Sequence, residues 1–134
     1  MYTFHKSERL CNKRAIADLY ASPHRMMAFP FSVYWTLNDN RQGREPLQVI
    51  VVAPKKKLHH AVDRNRAKRL MRECYRLRKH RLTEALKREN RSMTVGINYI
   101  HNEIITYQRM GKLFDKIFDQ LESAIATSKA DNET

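Results

Sequence analysis

Lys55-Lys56-Lys57-Leu58-His59-His60-Ala61-Val62-Asp63-Arg64-Asn65-Arg66-Ala67-Lys68-Arg69-Leu70-Met71-Arg72-Glu73 is the stretch on which the reading of the whole chain turns. At the α-helical step of about 100° per residue, Ala67, Leu70, Met71, Cys74 and Leu77 fall on one side. Arg64, Asn65, Lys68, Arg69, Arg72 and Arg76 fall on the opposite side. The spacing predicts an amphipathic helix whose wet face is almost purely cationic. Residues 55–81 hold twelve Lys and Arg against two acids, Asp63 and Glu73, and so carry ten of the chain's twelve net positive charges. The basicity is local, and it needs a local explanation. A helix that is merely solvated mixes signs at i,i+4. This one stacks like charges at 64, 68, 72 and 76, an arrangement that costs stability and suits a polyanion.

The residue types narrow the anion. An Arg fork matches phosphate in a bidentate way and stacks on bases, and an Asn among arginines can bond a base edge, a sugar or a phosphate. A membrane-surface helix would want bulky Trp, Phe or Leu on its other face. The Ala, Leu, Met and Cys found there suit a small domain's own core instead.

Working outward, the 134 residues fit one domain, and 42% hydrophobic content supplies an ordinary core. Asn12 is placed to cap a short helix over about Lys13–Ala21, with Ile16, Leu19 and Tyr20 facing inward. Arg25–Ala28 reads as a short extended piece. Phe31–Leu37 alternates as a strand. Asn38 to Pro46 is rich in turn residues and reads as a hairpin loop. Leu47–Ala53 follows, and its β-branched run Val49-Ile50-Val51-Val52 is expected of a central strand covered on both faces. Apolar positions continue at Leu77, Leu82 and Leu86, so the spacing allows the basic helix to break near Lys79 and leaves its end open. Met93–Ile100 is the last strand, with Gly96 marking a close approach. Thr106 looks like an N-cap for a helix over Tyr107–Ala126, and residues 127–134 are expected to form a disordered tail. The order α-β-β-β-α-β-α gives an α+β single domain over 1–126, with helices packed on a central mixed sheet.

The run Lys56-Lys57 … Ala61-Val62-x-Arg64-Asn65-Arg66-x-Lys68-Arg69-x-x-Arg72-Glu73 resembles the signature of the protein subunit of bacterial ribonuclease P. The likeness extends loosely over residues 4–126. His59-His60 depart from the family pattern, which has a small residue and then a Lys, and they could make this end of the patch titrate with pH. The resemblance implies a ribosomal protein S5 domain 2-like fold with a left-handed β-α-β crossover, where sequence pattern alone leads one to expect a right-handed one. It implies an RNA-binding subunit that holds the catalytic RNA and the 5′ leader of precursor tRNA while the leader is removed. The RNA subunit would then be the catalyst, with Mg2+ used by the holoenzyme and no cofactor or metal held by the protein alone. By the same likeness Lys56, Lys57, Arg64, Asn65, Arg66, Lys68, Arg69 and Arg72 contact RNA, and Arg76 lies on the same cationic side. The leader would cross the sheet, where stacking on aromatics tolerates any sequence. Tyr34 is the candidate there, with Tyr20 second, whereas Trp35 has core parity.

The residues alone build no active site. Asp115 and Asp119 share a helix face and suggest two-metal hydrolysis, but ion pairs with the neighbouring Lys112 and Lys116 explain them better. The six histidines show no H-x-x-x-H or H-E-x-x-H spacing, and the three glycines form no phosphate loop. Cys11 and Cys74 read as free thiols of a reducing compartment. No signal peptide or membrane span is visible, so the expected location is the cytoplasm, with neither membrane nor DNA as partner. A general RNA-binding protein, ribosome-associated or chaperone-like, stays open beside the ribonuclease P reading.

Overall fold

A computed structural model describes residues 13–22, 24–38 and 45–132. Among these residues, three helices and four strands follow in the order α1 (Lys13–Ala21), β1 (Arg25–Ala28), β2 (Phe31–Asn38), β3 (Leu47–Val52), α2 (Ala61–Arg88), β4 (Ser92–Tyr99) and α3 (Tyr107–Asn132). The class and order match the sequence expectation. Asn12, Cys11 and most of the 38–46 loop lie outside the described residues.

One sheet runs β1-β2-β4-β3, with β3 parallel to β4 and the other pairs antiparallel. Two expectations fail here. Residues 38–46 do not close a hairpin, because β4 lies between β2 and β3. Nor is β3 central: it is an edge strand. Its inner residues Leu47, Val49 and Val51 are buried, but its outer residues Gln48, Ile50 and Val52 are half-exposed. The interior positions belong to β2 and β4, and Met93, Val95, Ile97 and Tyr99 of β4 are all at most 2% exposed. The β-branched run of β3 therefore does two jobs, one side in the core and one side paving an open face.

The two faces differ in kind. Phe31, Val33, Leu47, Val49, Val51, Met93, Val95, Ile97 and Tyr99 form the inner face, against which α2 and α3 pack. Phe31, Phe114 and Tyr99 meet edge to face there, with Phe31 5.2 Å from Phe114 and 5.6 Å from Tyr99 between ring centroids. Each fully buried side chain of this size contributes about 1.5–3 kcal/mol by leaving water. On the outer face, among the described residues, only α1 docks, against β2 and β4. It does so through Leu19, which is fully buried. Gly96 permits this docking: a Cβ at that position would stand 2.9 Å from Leu19 Cδ2.

α2 does not break near Lys79. It continues to Arg88 because Leu82, Ala85 and Leu86 prolong the buried stripe of Ala67, Met71, Cys74 and Tyr75. Its stop is a Schellman ending. Asn90 takes a left-handed φ of 54°, its N–H donates to the Lys87 carbonyl, and the Arg91 N–H donates to the Leu86 carbonyl. Leu77, expected on the apolar side, is 43% exposed, while Leu70 is partly buried. At the other long helix, Thr106 caps as expected, its Oγ1 accepting from the Arg109 N–H at 3.3 Å. α3 then runs beyond Ala126 to Asn132.

Candidate nucleic-acid interface

The lysine loop and the start of α2 are fixed by the backbone before any RNA is considered. The Pro54 carbonyl accepts from both the Lys57 and Leu58 N–H groups at 3.1 Å. Leu58, only 4% exposed, anchors the loop in the core. Arg64, expected on the cationic face, turns back so that its NH1 donates to the carbonyls of Leu58 (3.0 Å) and His59 (2.8 Å). Lys55, Lys56, Lys57, His59 and His60 are left exposed on this pinned loop.

Along α2, Asn65, Arg66 and Arg69 are exposed, and Lys68 and Arg72 are half-buried. Arg76 reaches Glu73 with two hydrogen bonds, at 3.0 and 2.5 Å. That contact holds the Glu73 carboxyl below the ordinary carboxylate range and raises the Arg76 guanidinium. The like-charge row 64-68-72-76 is thus relieved at both ends, by carbonyls at Arg64 and by a carboxylate at Arg76. What remains is a helix with cations presented on successive turns, a form that can follow a phosphate backbone.

Farther along, α2 changes role. Arg78 Nε donates to Asp115 at 2.6 Å, and Arg81 bonds both Asp119 and Glu122 of α3. Asp115 and Asp119 are therefore not paired chiefly with Lys112 and Lys116, as expected, but serve as the α3 side of an inter-helix clamp. Among the described residues no group of three or more His, Cys, Asp or Glu could hold a metal ion.

The second candidate surface is the open part of the sheet's outer face. Pairing puts Tyr34 opposite Gly96, Thr36 opposite Thr94, and Ile50 beside Gly96. Tyr20 of α1 meets Tyr34 edge to face at 5.1 Å, and its hydroxyl donates to Asn98 Oδ1 at 2.7 Å. Burial raises the Tyr20 hydroxyl above its ordinary pKa, against the opposing pull of the Asn98 bond. Both predicted tyrosines thus stand side by side, with Leu19 and the Tyr20 hydroxyl seated over buried Gly96 and half-exposed Ile50 and Val52 on the neighbouring strand. Trp35 lies on the core side as expected, partly buried and stacked on His24 at 5.5 Å.

Sequence reasoning missed two residues beside the lysine loop. Phe29 and His101 join Lys56, Lys57, His59, His60 and Asp63 around a depression of about 600 Å3. Phe29 stands in a turn next to Pro30, outside any alternating pattern, so periodicity gives it no signal.

A family model described as Ribonuclease P matches residues 4–122. The chain is 28% identical to the ribonuclease P protein component of Porphyromonas gingivalis, over 96% of this chain and 93% of that protein. It is 30% identical to the same component from Vibrio vulnificus, over 90% of this chain and 92% of that protein. The solved structure of the Staphylococcus aureus RNase P protein superposes with a TM-score of 0.67 at 17% identity, covering 87% of this chain and 96% of that one.

Proposed function

The chain belongs to the ribonuclease P protein family and so to the apparatus of tRNA processing, and from that membership we propose that it acts as an RNA-binding subunit whose own residues perform no chemistry. It holds the catalytic RNA along Asn65, Arg66, Lys68, Arg69 and Arg72, with Lys56 and Lys57 at one end of the line. Arg64 and Arg76 support that line, each with part of its fork turned to the protein. The observation that carries this reading is the cationic face of α2, set on a helix whose other side is locked into the core. Rigid placement of Arg and Lys converts general attraction to RNA into a fixed register.

The 5′ leader of precursor tRNA lies across the outer sheet face, stacked at Tyr34 and Tyr20 beside Ile50 and Val52. Base-on-ring stacking there is indifferent to sequence, as a subunit serving many precursors requires. Mg2+ belongs to the assembled particle and is held with the RNA. No helix among the described residues is long and apolar enough to cross a membrane, and the reaction's setting is the cytoplasm.

Purified, RNA-free protein incubated with precursor tRNA and Mg2+ should leave the substrate intact, and adding the RNA subunit should produce the mature 5′ end. Cleavage at that position by the protein alone would overturn the proposal.

A further inference from the structure

The depression beside the lysine loop is built from four separate pieces of chain. Phe29 comes from the β1–β2 turn, Lys56 to His60 from the lysine loop, Asp63 from the first turn of α2, and Ile100 to Asn102 from the segment after β4. The pieces are tied to one another and to the core. The Ile100 N–H donates to the Pro30 carbonyl at 2.8 Å, joining the turn to the segment after β4. The Tyr99 hydroxyl donates to the Glu103 carbonyl at 2.5 Å and accepts from the Ile105 N–H at 3.0 Å, fixing the far end of that segment. Leu58 and Arg64 hold the loop, as described above. The concavity is therefore formed before a ligand arrives, and its size falls within the roughly 300–1,000 Å3 of small-ligand pockets.

Its chemistry is mixed in a particular way. Two lysines and three histidines face one carboxylate, Asp63. Among them stands Phe29, 53% exposed, with its ring 5.2 Å from the His101 ring. A phenylalanine so placed adds little to the core. One ring is also too little apolar surface to seat a membrane. An exposed aromatic face beside paired ammonium groups is instead the combination that holds an unpaired nucleotide.

We propose that this depression takes one single-stranded nucleotide of the RNA that lies along α2, its base on Phe29 and His101 and its phosphate at Lys56 and Lys57. The proposal rests on the reading of α2 as the RNA-binding helix. It adds a stacking site at the end of that helix, away from the tyrosine pair, and makes the last contact one of shape as well as charge.

The test is the affinity of the full chain for the ribonuclease P RNA transcript, titrated over salt concentration, with a urea melt for every variant. Phe29→Ala should weaken binding about 5- to 150-fold, the range expected for one lost base stack, with the salt slope unchanged. Phe29→Trp should bind like the original chain. Lys56→Ala with Lys57→Ala should weaken binding and make the slope shallower by roughly 0.7–0.9 for each charge. Independently, transcript carrying 4-thiouridine, irradiated in complex with the unaltered protein, should yield a crosslinked peptide containing Phe29 or His101. Binding of Phe29→Ala within twofold of the original, or crosslinks confined to 64–76, would overturn the nucleotide site while leaving the RNA-binding reading of α2 intact. Failure of the unaltered chain to bind the transcript at all would sink both.

Discussion

Arg69 and Met71 sit two positions apart on α2 and answer to different forces. Arg69 is exposed, so Arg69→Ala should leave the urea midpoint alone and make the slope of log affinity for RNA against log salt shallower by roughly 0.7–0.9. Met71 is fully buried, so Met71→Ala should cost about 2–5 kcal/mol of stability, and its folded fraction should keep the original slope. An unfolded Arg69→Ala variant would mean that the helix faces the wrong way. Such residues were legible from spacing because 3.6-residue periodicity separates opposite faces well. It separates flanks poorly: Leu77 has core spacing yet is exposed, while Tyr75 and Lys79 lie off that stripe and are buried. Tyr75 packs its ring against Phe118 at 6.2 Å, and a lysine can run its methylenes along apolar surface while its ammonium finds the rim. Cys74, buried beside them, offers a pH readout. Burial pushes its thiol up to about 11, overcoming the pull of Arg78. A thiol whose folded pKa lies above its unfolded value gives stability that is lost as pH rises, here between about 9 and 11. In a Cys11→Ser background, Cys74 should resist iodoacetamide at pH 8 and react at once in urea; rapid alkylation of the folded chain would refute its burial.

Among the elements, α1 is held by a narrow fit. Its docking depends on Leu19 against Gly96. Gly96→Ala should cost about 1–3 kcal/mol through overpacking and should draw Tyr20 away from Asn98, weakening precursor tRNA more than mature tRNA. Equal weakening of both ligands, with α1 still docked, would show that the tyrosine wall is not where the leader lies. The glycine's meaning could be read in advance, since an interior strand glycine signals close approach, but its partner could not. Elements ended less legibly than they began. Apolar spacing leaves the end of α2 open between about Lys79 and the later leucines, whereas the actual stop depends on one left-handed Asn90. Strand order was the least legible feature: β3 and β4 are both apolar, and composition alone does not say which of them the sheet encloses.

For the molecule as a whole, charge is divided by function along a single helix. The first half of α2 turns its cations outward, and the second half uses Arg78 and Arg81 to grip the acids of α3. The family motif made the first half legible; the second needed the fold, because nothing in the sequence says which of many acids will stand opposite. The position of β4 has one more consequence, and it concerns time. As the ribosome extends the chain, β3 emerges with no neighbour to pair with, since β2 is never adjacent to it. It must wait through all of Ala61–Arg88 until Ser92–Tyr99 arrives to enter the gap. A chain ending at Arg91 should therefore show no cooperative urea transition, whatever helix content it retains. Only after β4 closes the sheet and α3 packs along α2 is that helix held with the cations of its first half outward. A nascent chain thus cannot set the cationic face of α2 in its final place until it is nearly complete, and a chain abandoned midway lacks the rigid register that the proposed RNA contact requires.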